Sequence, residues 1–528
     1  MILADFAARA DLRRSLHLEW AGLAHRPSTV SYALAVLAGA LLALSFPKFG
    51  HPAVAWVALV PLVVALGSGA GVVLGLRLGL VAGAVGFAGT IYWTGEVVQQ
   101  FGGLPTPLAI FAMLLLALYM ALYTGAATAA TGLLAQKVGL RGLAVLPAAW
   151  VAGEYLRGWF FGGFPWTPLG GSQATVLPVA QLASLTGVYG LSLLVVMVNV
   201  LLGAALLRRG RQALLMLVAT AVLGGGVWAW GSARIADGRL TRTGTPLTVG
   251  LVQGNIEQTA KWDPRLADAI LSDHLALTRD AVSRGAAYVL WPESSTPFML
   301  EEDPEGQRVH ALARELHVPL LIGSDEVKRL PLRLYNAAHL IGPTGSTEAI
   351  YRKMHLVPFG EFIPLKGLLS FVTPIVESLA EFVPGTETVM LPVNGHPTST
   401  SICYEVVYPE LVRDAVLRGS ELLTTITNDA WYGRTSAPYQ HFESAMLRAI
   451  EQGRYLARSA NTGISGIVDP YGRVTLRSGL FERVALVGEV RLIQERTVYG
   501  RCGDVVPWLC LAATIVALLA ALGSRSQA

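Results

Sequence analysis

The sequence repeatedly runs for some twenty residues with hardly a charged side chain, near 30–46, 53–68, 78–94, 105–132, 142–157, 186–207, 212–231 and 504–522. A bilayer's hydrocarbon layer takes about 20 apolar helical residues to cross, and inside it every backbone N–H and C=O must be satisfied by its own segment. The runs therefore predict a bundle of about eight membrane-spanning helices. Several are rich in Gly and Ala, the residues that let helix backbones approach closely where lipid supplies no hydrophobic drive. Only 14% of the residues are charged, against roughly 25% in an average soluble domain, so a wholly soluble fold is excluded. The net charge of +4 is small and the arginines are scattered, which argues against a nucleic-acid partner.

Charge asymmetry orients the bundle. Arg9, Arg13, Arg14, Arg26, Arg77, Lys137, Arg141, Arg208, Arg209, Arg211 and Arg525 fall on one side, and only Lys48 and Arg157 on the other. The positive-inside rule then places both termini in the cytoplasm and the segment from about 233 to 502 outside. The first 28 or so residues are too long and too mixed for a cleaved signal peptide, so the first apolar run reads as a retained anchor. The expected division is 1–232 for seven transmembrane helices, 233–502 for an extracytoplasmic catalytic domain, and 503–528 for the last helix and a cytoplasmic tail.

The long outer segment has a different texture. Strand-like runs at 247–253, 287–291, 319–322, 337–341, 398–402, 422–427, 463–468 and 484–490 alternate with amphipathic helices at 265–284, 306–316, 409–418 and 440–457. Such alternation predicts a layered α/β fold. The three cysteines, Cys403, Cys502 and Cys510, leave at least one thiol unpaired and show no metal-type spacing. No metal site and no cofactor is expected.

Three motifs in this segment each place a reactive side chain just after a strand, where side chains converge on one end of a sheet. They are Trp291-Pro292-Glu293, Tyr351-Arg352-Lys353 running on to Pro358-Phe359-Gly360-Glu361, and Ile402-Cys403-Tyr404-Glu405. Taken singly, a strand-end acid is a solvated loop residue and a lone cysteine a small buried hydrophobe. Together they supply what a thiol of reference pKa about 8.5 needs in order to attack at neutral pH. Glu293 takes its proton, and Lys353 holds the thiolate and the oxyanion that follows. The Tyr404 backbone N–H is a second oxyanion donor.

Glu after Trp-Pro, Lys before Leu-Val-Pro-Phe-Gly-Glu, and Cys before Tyr-Glu, in this order, resemble the Glu-Lys-Cys triad of the nitrilase superfamily. With the apolar flanks, Asn428-Asp429-Ala430-Trp431-Tyr432-Gly433 and Gln440-His441-Phe442, the resemblance narrows to the apolipoprotein N-acyltransferase family. The resemblance implies an αββα sandwich for the outer domain. It also implies a two-step transfer, in which Cys403 takes an acyl chain from a phospholipid and passes it to the α-amino group of a diacylglyceryl-cysteine on an apolipoprotein. It further implies supporting roles for Glu361, Tyr404 and Glu405, and a substrate contact at Trp262, whose alternative is a core aromatic.

Asn428 and Trp431 lie in the family's motif and are candidate substrate contacts. Phe164 and Trp166 are read either as headgroup-level anchors or as part of a lipid entrance. The apolar stretch from Leu368 to Val383 is read either as a lid that meets the bilayer or as a core helix. Glu154 in the fifth span is expected to face a cavity or to pair with Arg157. His355 and His441 read as structural. A membrane-anchored amidohydrolase of the nitrilase type, which would give the acyl group to water, is the alternative that the triad alone leaves open.

Overall fold

The computed structural model describes residues 29–358, 360–362 and 382–523. The apolar stretch from Leu368 falls largely on 363–381, outside the described residues. In the amino-terminal half, helices α1 (Thr29–Ala43), α2 (Val60–Gly67), α3 (Val72–Thr90), α4 (Trp93–Gln100), α5 (Thr106–Val138), α6 (Leu146–Arg157), α7 (Ala183–Leu207) and α8 (Arg211–Asp237) form a bundle. Among the described residues, five helical stretches are long and apolar enough to cross a membrane: Val72–Thr90, Thr106–Arg157, Ala183–Leu207, Arg211–Thr241 and Val505–Gly523. The stretch Thr106–Arg157 contains both α5 and α6, joined by a tight helical turn at Gly139–Val145. The predicted spans at 30–46 and 53–68 are shorter helices, at Thr29–Ala43 and Pro52–Gly67.

Small residues set the closest contact in the bundle. Gly75, Gly79 and Gly83 lie one helical turn apart on α3 and face Thr128, Thr124 and Ala121 of α5. A Cβ at Gly75 would sit 2.5 Å from the Thr128 carbonyl oxygen, and one at Gly79 would overlap the Thr128 hydroxyl. That hydroxyl donates to the Gly75 carbonyl at 2.8 Å, a bond reachable only because the backbones nearly touch.

The segment after the bundle carries, among the described residues, two six-stranded sheets. The first contains β1 (Thr245–Gln253), β2 (Tyr288–Leu290), β3 (Leu320–Arg329), β4 (Leu332–Ile341), β5 (Thr347–Arg352) and β12 (Val484–Leu492), in the order β12-β1-β2-β3-β4-β5. The second contains β6 (Leu391–Val393), β7 (His396–Ile402), β8 (Leu422–Thr427), β9 (Leu456–Ala460), β10 (Gly466–Val468) and β11 (Val474–Arg477), in the order β11-β10-β9-β8-β7-β6. Each sheet has three parallel strands at its centre, β1-β2-β3 and β7-β8-β9, flanked by antiparallel ones.

Period-two alternation sorts the side chains into layers. Val249, Leu251, Tyr288 and Leu290 of the first sheet meet Ile402, Leu422, Ile426 and Ala457 of the second in one core. Their neighbours Val252 and Val289 face the opposite way, toward Leu271 and Leu275 of α9 (Ala267–Ser283) and Val309 and Leu312 of α10 (Gly306–Leu316). Helices α11 (Pro409–Leu417) and α12 (Ala437–Gln452) cover the second sheet. The layers are therefore α, β, β, α. The last helix, α13 (Val505–Gly523), returns the chain to the bundle against α6.

The outer face of the second sheet's helices packs on the bundle. Met446, Ala449 and Phe442 of α12 share a core with Ile91, Trp93, Ala117, Met120 and Trp166. Polar side chains cross the same seam. Gln440 Nε2 donates to the carbonyls of Pro47 and Thr90, each at 3.1 Å, and Glu451 Oε1 accepts from the Val188 amide at 2.8 Å. The α/β domain is thereby fixed on the helical bundle.

Candidate active site

Glu293 follows β2, Lys353 follows β5 and Cys403 follows β7, so the three motifs approach one another from two sheets. Lys353 is buried, and its Nζ donates to Glu293 Oε1 at 3.0 Å and to Glu361 Oε1 at 2.9 Å. Asn336 on β4 bridges the same two carboxylates, its Nδ2 standing 2.7 Å from each Oε1. The Val357 amide holds the other oxygen of Glu361 at 2.7 Å, so Glu361 fixes the lysine's position. Glu293 Oε2 accepts from the Asn428 amide at 2.8 Å.

These contacts set the charges. Burial raises the Glu293 carboxyl, but Lys353, Asn336 and Lys261 outweigh it and leave it below the ordinary range, as a carboxylate. Burial works to lower Lys353, while Glu293 and Glu361 hold it well above its ordinary value, as an ammonium. Cys403 is 4% exposed, and burial followed by the Glu293 charge pushes its thiol up, with Lys353 opposing. The site therefore holds a thiol, a carboxylate and a fixed cation side by side.

Cys403 sits on a constrained elbow. Cys403 has φ 52°, the left-handed region that a side chain with a Cβ adopts only when its surroundings force it. Two buried clusters do so. Glu405 Oε2 accepts from the Ile402 amide at 2.7 Å, while its Oε1 accepts from the Met354 amide at 2.6 Å, the His355 amide at 3.2 Å and the Tyr351 hydroxyl at 2.9 Å. One carboxylate thus ties the lysine strand to the cysteine turn. Burial, opposed by these backbone donors, brings its carboxyl up to about 7. Behind the turn, His441 reaches the Cys403 carbonyl at 2.9 Å, and Asp429 and Arg458 pack against the ring with no exposure. The Thr427 hydroxyl, one residue before Asn428, donates to Asp429 Oδ1 at 2.9 Å.

The remaining predicted positions divide. Asn428 is buried, with its amide on Glu293, its Nδ2 on Gln258 Oε1 at 2.6 Å and its Oδ1 accepting from Asn461 at 2.9 Å, so it is part of the base's support. Trp262 is 45% exposed, which excludes the core-aromatic reading. Trp431 is half-buried and meets the Phe101 ring edge-on at 4.7 Å, against the loop after α4. Tyr404 turns its ring toward the bundle, where its hydroxyl donates to the Gly163 carbonyl at 3.3 Å and Phe164 and Trp166 stack beside it.

Trp166 corrects the headgroup-anchor reading. It is 2% exposed, donates from Nε1 to Gln440 Oε1 at 2.7 Å and packs on Trp93, so it belongs to the seam between bundle and catalytic domain. Glu154 accepts from Trp150 Nε1 and the Leu169 amide, both at 2.8 Å, and lines a small intramembrane cavity with Arg157. His355 lies against the Tyr408 ring at 4.0 Å.

Asn336, Lys261 and Arg458 escaped the sequence reading, and Asp429 entered it only as a letter of the family motif. Each is a polar residue in a stretch that reads as surface, and only the three-dimensional proximity of its partners makes its burial tolerable.

Comparison with known proteins agrees with this geometry. Residues 248–497 match the carbon-nitrogen hydrolase family, the class that the paired sheets and the strand-end side chains define. Residues 38–201 match the apolipoprotein N-acyltransferase N-terminal domain. An apolipoprotein N-acyltransferase of Geobacter metallireducens is 39% identical over 93% of this chain and 95% of its own length, and one of Methylococcus capsulatus is 35% identical over 93% and 96%. The chain belongs to the apolipoprotein N-acyltransferase family. A solved amidase from Nesterenkonia is similar at 24% identity over 48% of this chain and 93% of its own, with a TM-score of 0.36.

Proposed function

We propose that this chain moves an acyl chain from a membrane phospholipid to the α-amino group of an apolipoprotein's diacylglyceryl-cysteine, through a thioester on Cys403. The observation that carries this reading is Lys353 Nζ held between Glu293 and Glu361 at 3.0 and 2.9 Å beside a buried thiol. In the first step Glu293 takes the thiol proton, and the sulfur attacks the ester carbonyl of the phospholipid. Lys353 and the Tyr404 N–H stabilise the oxyanion. The carbon–oxygen bond breaks, and the departing lysophospholipid alkoxide takes the proton from Glu293.

In the second step the acceptor's amine attacks the thioester carbonyl while Glu293 takes a proton from its nitrogen. The carbon–sulfur bond breaks and the thiolate is reprotonated, which returns the site to its resting state.

The bundle supplies the physical reason for a membrane enzyme. A lipid chain is held by about 0.8 kcal/mol per buried methylene, so withdrawing a phospholipid into water costs more than a site could return. The catalytic domain must lie on the leaflet that holds its donor, and the charge asymmetry supports an outer location for it with both termini cytoplasmic.

Incubation of the purified chain with acyl-labelled phospholipid and a diacylglyceryl-cysteine peptide tests the reading. A triacylated peptide with an amide-linked label, and an equivalent of lysophospholipid, is the expected result. Label released as free fatty acid with the peptide unchanged would overturn it in favour of the amidohydrolase alternative.

A further inference from the structure

Next to the base lies a second buried cation. Lys261 is 4% exposed, and its Nζ donates to the backbone carbonyl of Glu293 at 3.1 Å. It sits in the segment between β1 and α9, which is itself tied to the site. The Asn255 amide donates to the Asn461 carbonyl at 3.0 Å, the Ile256 amide to Asn461 Oδ1 at 2.8 Å, and Gln258 Oε1 accepts from Asn428 at 2.6 Å. Lys261 follows the last of these tethers by three residues, and its own Nζ contact adds another tie between the segment and the site.

Burying an ammonium is costly unless negative charge faces it. The groups that face Lys261 are Glu293 after β2, Asp325 on β3 and Cys403 after β7, with His274 of α9 on the far side. Asp325 accepts from the Ser294 hydroxyl at 2.8 Å, one residue beyond the base. Glu293 itself is faced by Lys353 and Lys261, by the neutral donor Asn336, and by the negative or ionisable Asp325 and Cys403. Lys353 is shared between two carboxylates, Glu293 and Glu361.

We propose that Lys261 is a positioning residue for the base: its ammonium fixes the Glu293 peptide and adds a second positive charge beside the Glu293 carboxylate. This rests on Glu293 being the base of the reading above. The same contact anchors the segment that presents the exposed ring of Trp262, so the base and that ring are held in register. Burial lowers the Lys261 amine to about 8, against the pull of Glu293, Asp325 and Cys403, so it is still mostly charged at neutral pH.

The test uses the full-length protein in detergent and reads alkylation of Cys403 by iodoacetamide, followed on the Cys403 peptide by mass spectrometry. This needs neither phospholipid nor lipoprotein. Wild type, Lys261→Met, Lys261→Gln and Lys261→Arg are compared at pH 5 and pH 8. Without the ammonium the Glu293 carboxyl should rise, so Lys261→Met should lose more rate at pH 5 than at pH 8, by up to about threefold. Arginine, which keeps charge and donor, should bring that ratio back to the wild-type value. Glutamine, which keeps only the donor to the Glu293 carbonyl, should not.

A glutamine variant that matches arginine, or an equal change at both pH values in the methionine variant, overturns the proposal. The two readings fail separately. A pH-selective loss without lipid transfer leaves Lys261 in its role and removes the acyltransferase reading, whereas transfer with no pH-selective loss does the reverse.

Discussion

The imidazole of His441 donates from Nε2 to the Cys403 carbonyl oxygen at 2.9 Å. A carbonyl only accepts, so Nε2 carries a proton, and Nδ1 lies 3.1 Å from Asp429 Oδ1 and 3.0 Å from Arg458 Nη2. Burial, reinforced by Arg458 and opposed by Asp429, lowers the imidazole. With both nitrogens engaged by these groups, the ring pins the peptide that carries the sulfur.

Replacing His441 with leucine removes that pin. Acylation of Cys403 in a single turnover is expected to slow by about 10- to 100-fold, the size of effect that loss of positioning produces. Glutamine, which can present an N–H to the same carbonyl, should recover part of the loss. Stopped-flow measurement of lysophospholipid release checks both.

Asp429 gives the fold a pH signature. Burial raises its carboxyl, but Arg458 and His441 overcome this and hold it far below the ordinary range. A carboxyl depressed in the folded state stabilises the fold above its unfolded pKa of about 3.9 and loses that contribution as pH falls. Asp429→Asn leaves Arg458 buried and unpaired, which should cost about 3–5 kcal/mol at pH 7. In thermal melts, the gap between variant and wild type should narrow as pH drops below about 4.

Glu405 holds two loops with four donors. Glu405→Ala strands those donors in a buried site, at about 1–3 kcal/mol each where water cannot replace the carboxylate. A fall in melting temperature is expected together with loss of Cys403 acylation. An unchanged melt would show that Glu405 does not join the lysine strand to the elbow.

In the bundle, Gly79 and Gly224 make opposite predictions. A side chain at Gly79 collides with Thr128, whereas a Cβ at Gly224 of α8 meets nothing within 4 Å. Gly79→Val should abolish the folded peak in detergent size-exclusion. Gly224→Ala should elute as wild type and melt at the same or a higher temperature, since alanine favours a helix over glycine by about 1 kcal/mol.

Legibility in the sequence followed from how local each signal is. Residues 306–316 are predicted as a helix and form one from Gly306 to Leu316, and 422–427 are predicted as a strand and form one from Leu422 to Thr427. Both have an amphipathic or β-branched pattern closed by clear breakers. Strands β5, β6, β9 and β11 were not predicted, because they are short or mixed and are stabilised by their neighbours in the sheet. The helix predicted for 440–457 instead runs Ala437–Gln452 and stops at Gly453, where φ is 63°, before β9 begins at Leu456. Apolar β9 residues continue a helical pattern, and the glycine that ends it weighs less in a sequence than in a backbone.

At the site, Glu293, Lys353 and Cys403 could be found because each ends a strand inside a motif. Lys261 and Asn336 could not, since a lysine before an exposed tryptophan and an asparagine within a strand signal nothing until their partners are adjacent. Trp166 shows the converse, an aromatic after Gly-Gly-Phe-Pro that resembles an interfacial residue and is instead buried between domains.

The central claim is a covalent acyl group on one sulfur. Intact and peptide mass spectrometry of the purified protein, incubated with phospholipid and no acceptor, should find one fatty acyl group on Cys403 of the wild type and none on Cys403→Ser. An acyl group on Cys502, Cys510 or any other residue, or no adduct on Cys403 while transfer proceeds, would contradict it.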